Sequence, residues 1–102
     1  SAASDVFKRQ GIGRGKGEHR NEVAVKEAIG NPLTETMIQN AKGVIVNIAG
    51  SGEMPLDEIN AIMTVIGDRV DNPEANIIFG TIIDDSLQDE IIITVIATGI
   101  GM

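Results

Sequence analysis

The fold class predicted for this chain is α/β, of the α+β type: a two-layer sandwich with a four-stranded mixed sheet and two helices on one face. Three observations predict it. Short runs rich in Ile and Val mark strands at 43–48, 76–83 and 91–98. Two stretches, one before and one after the first of these runs, repeat apolar residues at helical spacing, and a short glycine-rich extended segment precedes them. The resulting order, β-α-β-α-β-β, places the first three strands parallel through right-handed crossovers and the last antiparallel. With 102 residues the chain suits one domain with one modest core.

Ser1 to Gln10 has neither helical nor strand periodicity and ends in Lys8-Arg9-Gln10. It is expected to be a disordered leader, and it resembles a translated adapter remnant foreign to the gene. The domain is expected over 11–102. Gly11-Ile-Gly-Arg-Gly-Lys-Gly17 reads as an extended, close-packed or turning backbone, because alternate glycines permit all three. A helix is expected from about Glu18 to Ile29, with Val23, Ala24, Ala28 and Ile29 as its apolar face. Gly30-Asn31-Pro32 stops it.

The next strand is expected over Gly43–Ile48, followed by the loop Ala49-Gly50-Ser51-Gly52. The second helix is expected over Pro55–Val70, with Leu56, Ile59, Ile62, Met63, Ile66 and Val70 on one stripe. Pro55 suits its first turn, and Asp57 and Glu58 favour the positive end of its dipole. Asn76–Ile83 and Ile91–Thr98 are the last two strands. The acidic segment 84–90 is expected to join them as a hairpin loop.

These two strands are apolar on both faces. Ile91, Ile93, Val95 and Ala97 alternate with Ile92, Thr94, Ile96 and Thr98. A sheet with one wet face alternates apolar and polar residues. Two helices cover only one face, so the second is expected to be covered by something outside this segment. A strongly twisted small sheet with exposed Ile is the plainer reading.

Charge narrows the partners. Residues 1–42 hold seven Lys/Arg against five Asp/Glu, a balance of +2; residues 43–102 hold one against ten, a balance of −9. An acidic second half, and only two aromatic residues in the whole chain, argue against nucleic-acid binding, which needs a basic footprint and stacking platforms. Without cysteine, disulfides and thiolate metal sites are excluded. No apolar run approaches the roughly 20 residues of a membrane span.

No complete catalytic set emerges. Gly15-Lys16 is followed by Gly17, where a phosphate-binding Walker loop needs Ser or Thr. Arg14, Lys16, His19 and Arg20 remain candidates for holding an anion near a helix N-terminus, beside the plainer reading of solvated basic residues. His19 reads as a surface histidine, and Ser51 as loop chemistry rather than a nucleophile elbow. Asp84, Asp85, Asp89 and Glu90 are the candidate ligands for weak binding of a hard cation, without the spacing of an EF-hand. A solvated acidic loop is the plainer reading.

Five segments together resemble one family. They are Gly11-Ile-Gly-Arg-Gly-Lys-Gly-Glu-His-Arg20, Glu27-Ala-Ile-Gly-Asn-Pro-Leu33, Ala41-Lys-Gly-Val-Ile-Val-Asn-Ile48, Ala75-Asn-Ile-Ile-Phe-Gly-Thr81 and Asp89-Glu-Ile-Ile-Ile-Thr-Val-Ile-Ala-Thr-Gly99. In this order and spacing they resemble FtsZ, the tubulin-like GTPase of prokaryotic cell division, over its C-terminal sandwich. Asn21, where Ala is common, and Gly30 are modest departures.

The resemblance implies a GTP- and Mg²⁺-dependent parent that polymerises head to tail, in the cytoplasm at the division site, without direct membrane contact. The family's Gly-rich phosphate signature and its acidic activating loop do not occur in this sequence and are expected upstream of Gly11. This segment alone is therefore expected to be inactive toward GTP, and no catalytic residue carries over. Its expected partners are the GTP-binding domain of the same protein and further copies. The resemblance also implies that Asn47 and Thr98 line an inter-domain cleft where synthetic inhibitors bind. The alternatives are a stand-alone interaction module, such as a truncated paralogue capping filaments, and a small-molecule-binding regulatory domain.

Overall fold

The computed structural model describes residues 8–52 and 54–99. The elements run β1 (Lys8–Lys16), α1 (Arg20–Ile29), α2 (Pro32–Gln39), β2 (Gly43–Gly50), α3 (Leu56–Arg69), β3 (Asn76–Ile83), one 3-10 turn (Asp85–Leu87) and β4 (Glu90–Thr98). The four strands form one sheet in the order β1-β4-β2-β3. β2 and β3 are parallel, and β4 is antiparallel to both of its neighbours. The first three strands therefore share one direction and β4 opposes them, as the crossover argument requires.

The connection from β3 to β4 is not a hairpin. β4 lies between β1 and β2, so the chain leaving β3 passes over the end of β2. Burial explains the choice. Ile91, Ile93, Val95 and Ala97 of β4 are fully buried, and only a central position gives them neighbours on both sides. Two strand spacings amount to about 10 Å, which the six residues 84–89 span easily.

The expected leader is also corrected. Lys8, Arg9 and Gln10 belong to β1 and pair with Thr98, Ala97 and Ile96. An edge strand is held by backbone bonds to one neighbour, and polar residues suit it, so apolar periodicity gave no signal there. Residues 1–7 of that leader lie outside the described residues.

A third helix, α2, joins the two expected ones. Asn31 caps it: its Oδ1 accepts hydrogen bonds from the backbone N–H of Leu33 at 2.9 Å and Thr34 at 3.4 Å. Pro32 occupies the first turn, where its missing N–H is harmless. The residues that end α1 thus also begin α2.

One core fills the space between sheet and helices. Val44, Val46 and Ile48 of β2 and the four buried residues of β4 meet Ala24, Val25, Ala28 and Ile29 of α1, Ile38 of α2, and Ile59, Ile62 and Ile66 of α3. All the strand residues in this core come from one face of the sheet.

The glycine strand has a specific structural task. A Cβ added at Gly11, Gly13 or Gly15 would lie 2.0, 1.9 or 2.0 Å from the carbonyl oxygens of Ala28, Ala24 and Arg20. These three residues are one helical turn apart. The backbone of α1 therefore rests directly on the backbone of β1, with no side chain between them.

Candidate functional site

The sheet face opposite the helices is the most distinctive surface of the molecule. Strand register orders its side chains in rows. Thr98, Gly43 and Asn76 form one row, and Gln10, Ile96, Ile45 and Ile78 the next. Then come Ile12, Thr94, Asn47 and Gly80, followed by Arg14, Ile92, Ala49 and Ile82. Side chains directly opposite in a ladder share a face, so the rows form one continuous surface. Ile12, Ile45, Ile78 and Ile82 are 49, 43, 59 and 50% exposed. Ile92 and Ile96 are half-buried among them.

Asn47 and Thr98 both lie on this face, at different depths. Asn47 pairs with Thr94, and Thr98 sits four residues further along β4, about 13 Å away. The Ile96–Ile45–Ile78 row lies between them. The Thr98 hydroxyl donates to the Gly43 carbonyl at 3.3 Å. Among the described residues the Asn47 carboxamide makes no side-chain hydrogen bond, so its donors and acceptor face outward. Thr94, beside Asn47, completes a polar pair at the centre of the apolar field. Sequence periodicity assigns Thr94 to a face but not to a neighbour; only strand register reveals the pair.

The other candidates disperse. Arg20 turns inward and forms a two-pronged ion pair with Glu58 at the start of α3. Its Nε donates to Oε2 at 3.0 Å and its Nη2 to Oε1 at 2.7 Å, with both side chains about 20% exposed. This pairing holds the Glu58 carboxyl below the usual carboxylate range and raises Arg20 above its ordinary value. Burial opposes both shifts. Arg14 lies 3.8 Å from Glu90, and His19 lies 3.8 Å from Glu22 in the open. Arg14, His19 and Arg20 thus face three separate carboxylates rather than one anion.

The acidic segment assembles no ligand set. Asp84 accepts from the Ser86 backbone N–H at 3.1 Å and hydroxyl at 2.6 Å. These bonds hold its carboxyl below the ordinary aspartate value. Glu90 is turned to Arg14. Among the described residues no three His, Asp or Glu side chains converge as a metal site requires. Ser51 serves the loop: its hydroxyl donates to the Gln88 carbonyl at 2.6 Å. Among the described residues no helix is long and apolar enough to cross a membrane.

Comparison with known proteins matches this architecture. The model of the FtsZ family, C-terminal domain, matches residues 9–101. An empty FtsZ dimer from M. jannaschii superposes with a TM-score of 0.80 at 30% identity, covering 91% of this chain and 27% of that one. A point mutant of the same FtsZ gives 0.79 at 29% identity, covering 90% and 27%. The TubZ protofilament of Bacillus thuringiensis serovar israelensis in its GTPyS form gives 0.70 at 15% identity, covering 94% and 25%, a likeness of fold. The chain spans about a quarter of the length of these proteins.

Proposed function

Because the chain belongs to the FtsZ family and corresponds to its C-terminal domain, we propose that it is the assembly and GTPase-activating part of a filament-forming cell-division protein. One observation carries this reading: a sheet face of exposed Ile12, Ile45, Ile78 and Ile82 around the polar Asn47–Thr94 pair. Apolar surface of this extent on a small domain marks an interaction surface. Its occupant is the GTP-binding domain of the same protein, which supplies the nucleotide site and Mg²⁺. Asn47 and Thr98 line the resulting cleft. Copies then stack head to tail, a heterologous contact that propagates rather than closes. The place of action is the cytoplasmic division site.

The test is a mixing experiment with a separately produced FtsZ-type GTP-binding domain. The chain is expected to bind it, to turn over no GTP alone, and to raise turnover in the mixture. Ile96→Lys places a charge at the centre of the open face and is expected to weaken binding at least tenfold. Robust turnover by the chain alone would sink the reading, as would unchanged affinity in the Ile96 variant. Filament shortening by substoichiometric chain, without any gain in turnover, would favour a capping module instead.

A further inference from the structure

The edge strand β3 has a property that the open face does not explain. Its sequence, Asn76-Ile-Ile-Phe-Gly-Thr-Ile-Ile83, contains no charge and no proline. One side of its backbone pairs with β2, and among the described residues the other side has no neighbouring strand. Ile78, Phe79, Ile82 and Ile83 are large, apolar and exposed. Natural edge strands are usually blunted by charge, proline or a bulge. β3 has none of the first two along its length, and its ladder to β2 runs in unbroken register over all eight residues.

The strand is also self-complementary. Reversed about Gly80, Ile78 falls opposite Ile82, Ile77 opposite Ile83, and Phe79 opposite Thr81. Each such pair has residue numbers of the same parity and so shares a face; a two-fold axis normal to the sheet, beside Gly80 and midway between the two strands, keeps every side chain on its own side. At the ends Asn76 meets Asp84 and Ala75 meets Asp85, so no like charges confront each other. A Cβ built on Gly80 meets nothing within 4 Å, so the sheet face beside the axis has room for a side chain at this position.

We propose that β3 pairs antiparallel with β3 of a second copy of this chain, about a two-fold axis that passes between the two strands beside Gly80. Two four-stranded sheets then become one continuous sheet, and the two open faces lie side by side on the same surface. The inference rests on β3 alone and not on the reading of the open face as an inter-domain surface.

The register dictates the test. The chain has no cysteine, so Gly80→Cys introduces a single thiol that faces its own copy across the axis. Antiparallel partners have Cα atoms about 4.5–5.5 Å apart, within disulfide range. Mild oxidation of Gly80→Cys is expected to give a covalent dimer. Ile82→Cys, which faces Ile78 of the other copy, is expected to cross-link at least tenfold more slowly. In sedimentation equilibrium, the unmodified chain and Gly80→Ala are expected to dimerise alike. Gly80→Lys, which opposes two ammonium groups, is expected to weaken the dimer at least tenfold, and mixing it with Gly80→Glu to restore association. A strictly monomeric chain would overturn the proposal. So would a Gly80→Lys dimer of undiminished affinity, or equal cross-linking at 80 and 82. Loss of self-association in Ile96→Lys but not in Gly80→Lys would overturn it too, by assigning the contact to the open face.

Discussion

The two edges of the sheet solve the same problem in opposite ways. β1 and β3 each hydrogen-bond to one neighbouring strand. β1 carries Lys8, Arg9, Arg14 and Lys16 and has glycines on its inner face. The α1 backbone lies directly on those glycines, and the Arg14 backbone N–H donates to the Glu27 carboxylate at 2.9 Å. That edge is closed by the chain itself. β3 carries no charge, and much of its apolar surface is exposed. Among the described residues no strand pairs with that edge. Small residues close an edge by admitting a helix, and large apolar ones leave it adhesive.

The largest expected effect breaks the closed edge. Gly13→Val would put a Cβ 1.9 Å from the Ala24 carbonyl oxygen, a backbone atom that cannot rotate away. A loss of more than about 3 kcal/mol is expected, lowering Tm by at least about 12 °C in a domain this size. Thermal melts followed by circular dichroism check it, and a Tm equal to that of the unmodified chain would remove the backbone-contact explanation.

Next comes the clamp at the start of α1. Arg20→Met leaves the half-buried Glu58 carboxylate without its partner and should destabilise by about 1–2 kcal/mol. The same pair sets a pH dependence. The hydrogen bonds from Arg20 hold the folded carboxyl of Glu58 below its ordinary value of 4.5. Its contribution is therefore full above about pH 4.5 and is lost as the pH falls through the folded value. Urea midpoints between pH 6 and pH 3 should fall more steeply in the unmodified chain than in Glu58→Gln. Parallel curves would mean that the pair is not linked to folding.

Two smaller changes separate the edges. Glu27→Ala returns the Arg14 N–H to water and should cost about 0.5–1 kcal/mol, read from the denaturant midpoint. Gly80→Ala on β3 meets open space and should raise stability by at most about 1 kcal/mol, by restricting the unfolded chain. Destabilisation by Gly80→Ala as large as that by Gly13→Val would erase the distinction between the edges.

Much of the fold was legible because it is written in local patterns. The 3.6-residue recurrence of Ile59, Ile62 and Ile66 marks α3, and β-branched runs mark β2, β3 and β4. The largely apolar residues on both faces of β4 also pointed to a second apolar face, which the exposed Ile12, Ile45 and Ile78 display. Other features depend on distant pairings. Lys8-Arg9-Gln10 became strand through bonds to Ile96, Ala97 and Thr98. The place of Thr94 beside Asn47, and of Arg20 against Glu58, follows from register and helix packing that no single stretch encodes. The acidic segment offered candidate cation ligands, beside the plainer reading of a solvated loop, because its carboxylates are close in sequence; folded, Asp84 turns to Ser86 and Glu90 to Arg14.

By itself, then, the sequence determined two of the three helices, the strands β2 to β4, the two-layer class and the family, because hydrophobic period, glycine spacing and short motifs are local properties of the chain. Only the tertiary structure decided that β4 enters between β1 and β2, that α1 rests on bare glycine backbone, and that β3 remains an open edge. Those outcomes turn on which strand gains most from burial on both sides, and that competition exists only once the elements meet.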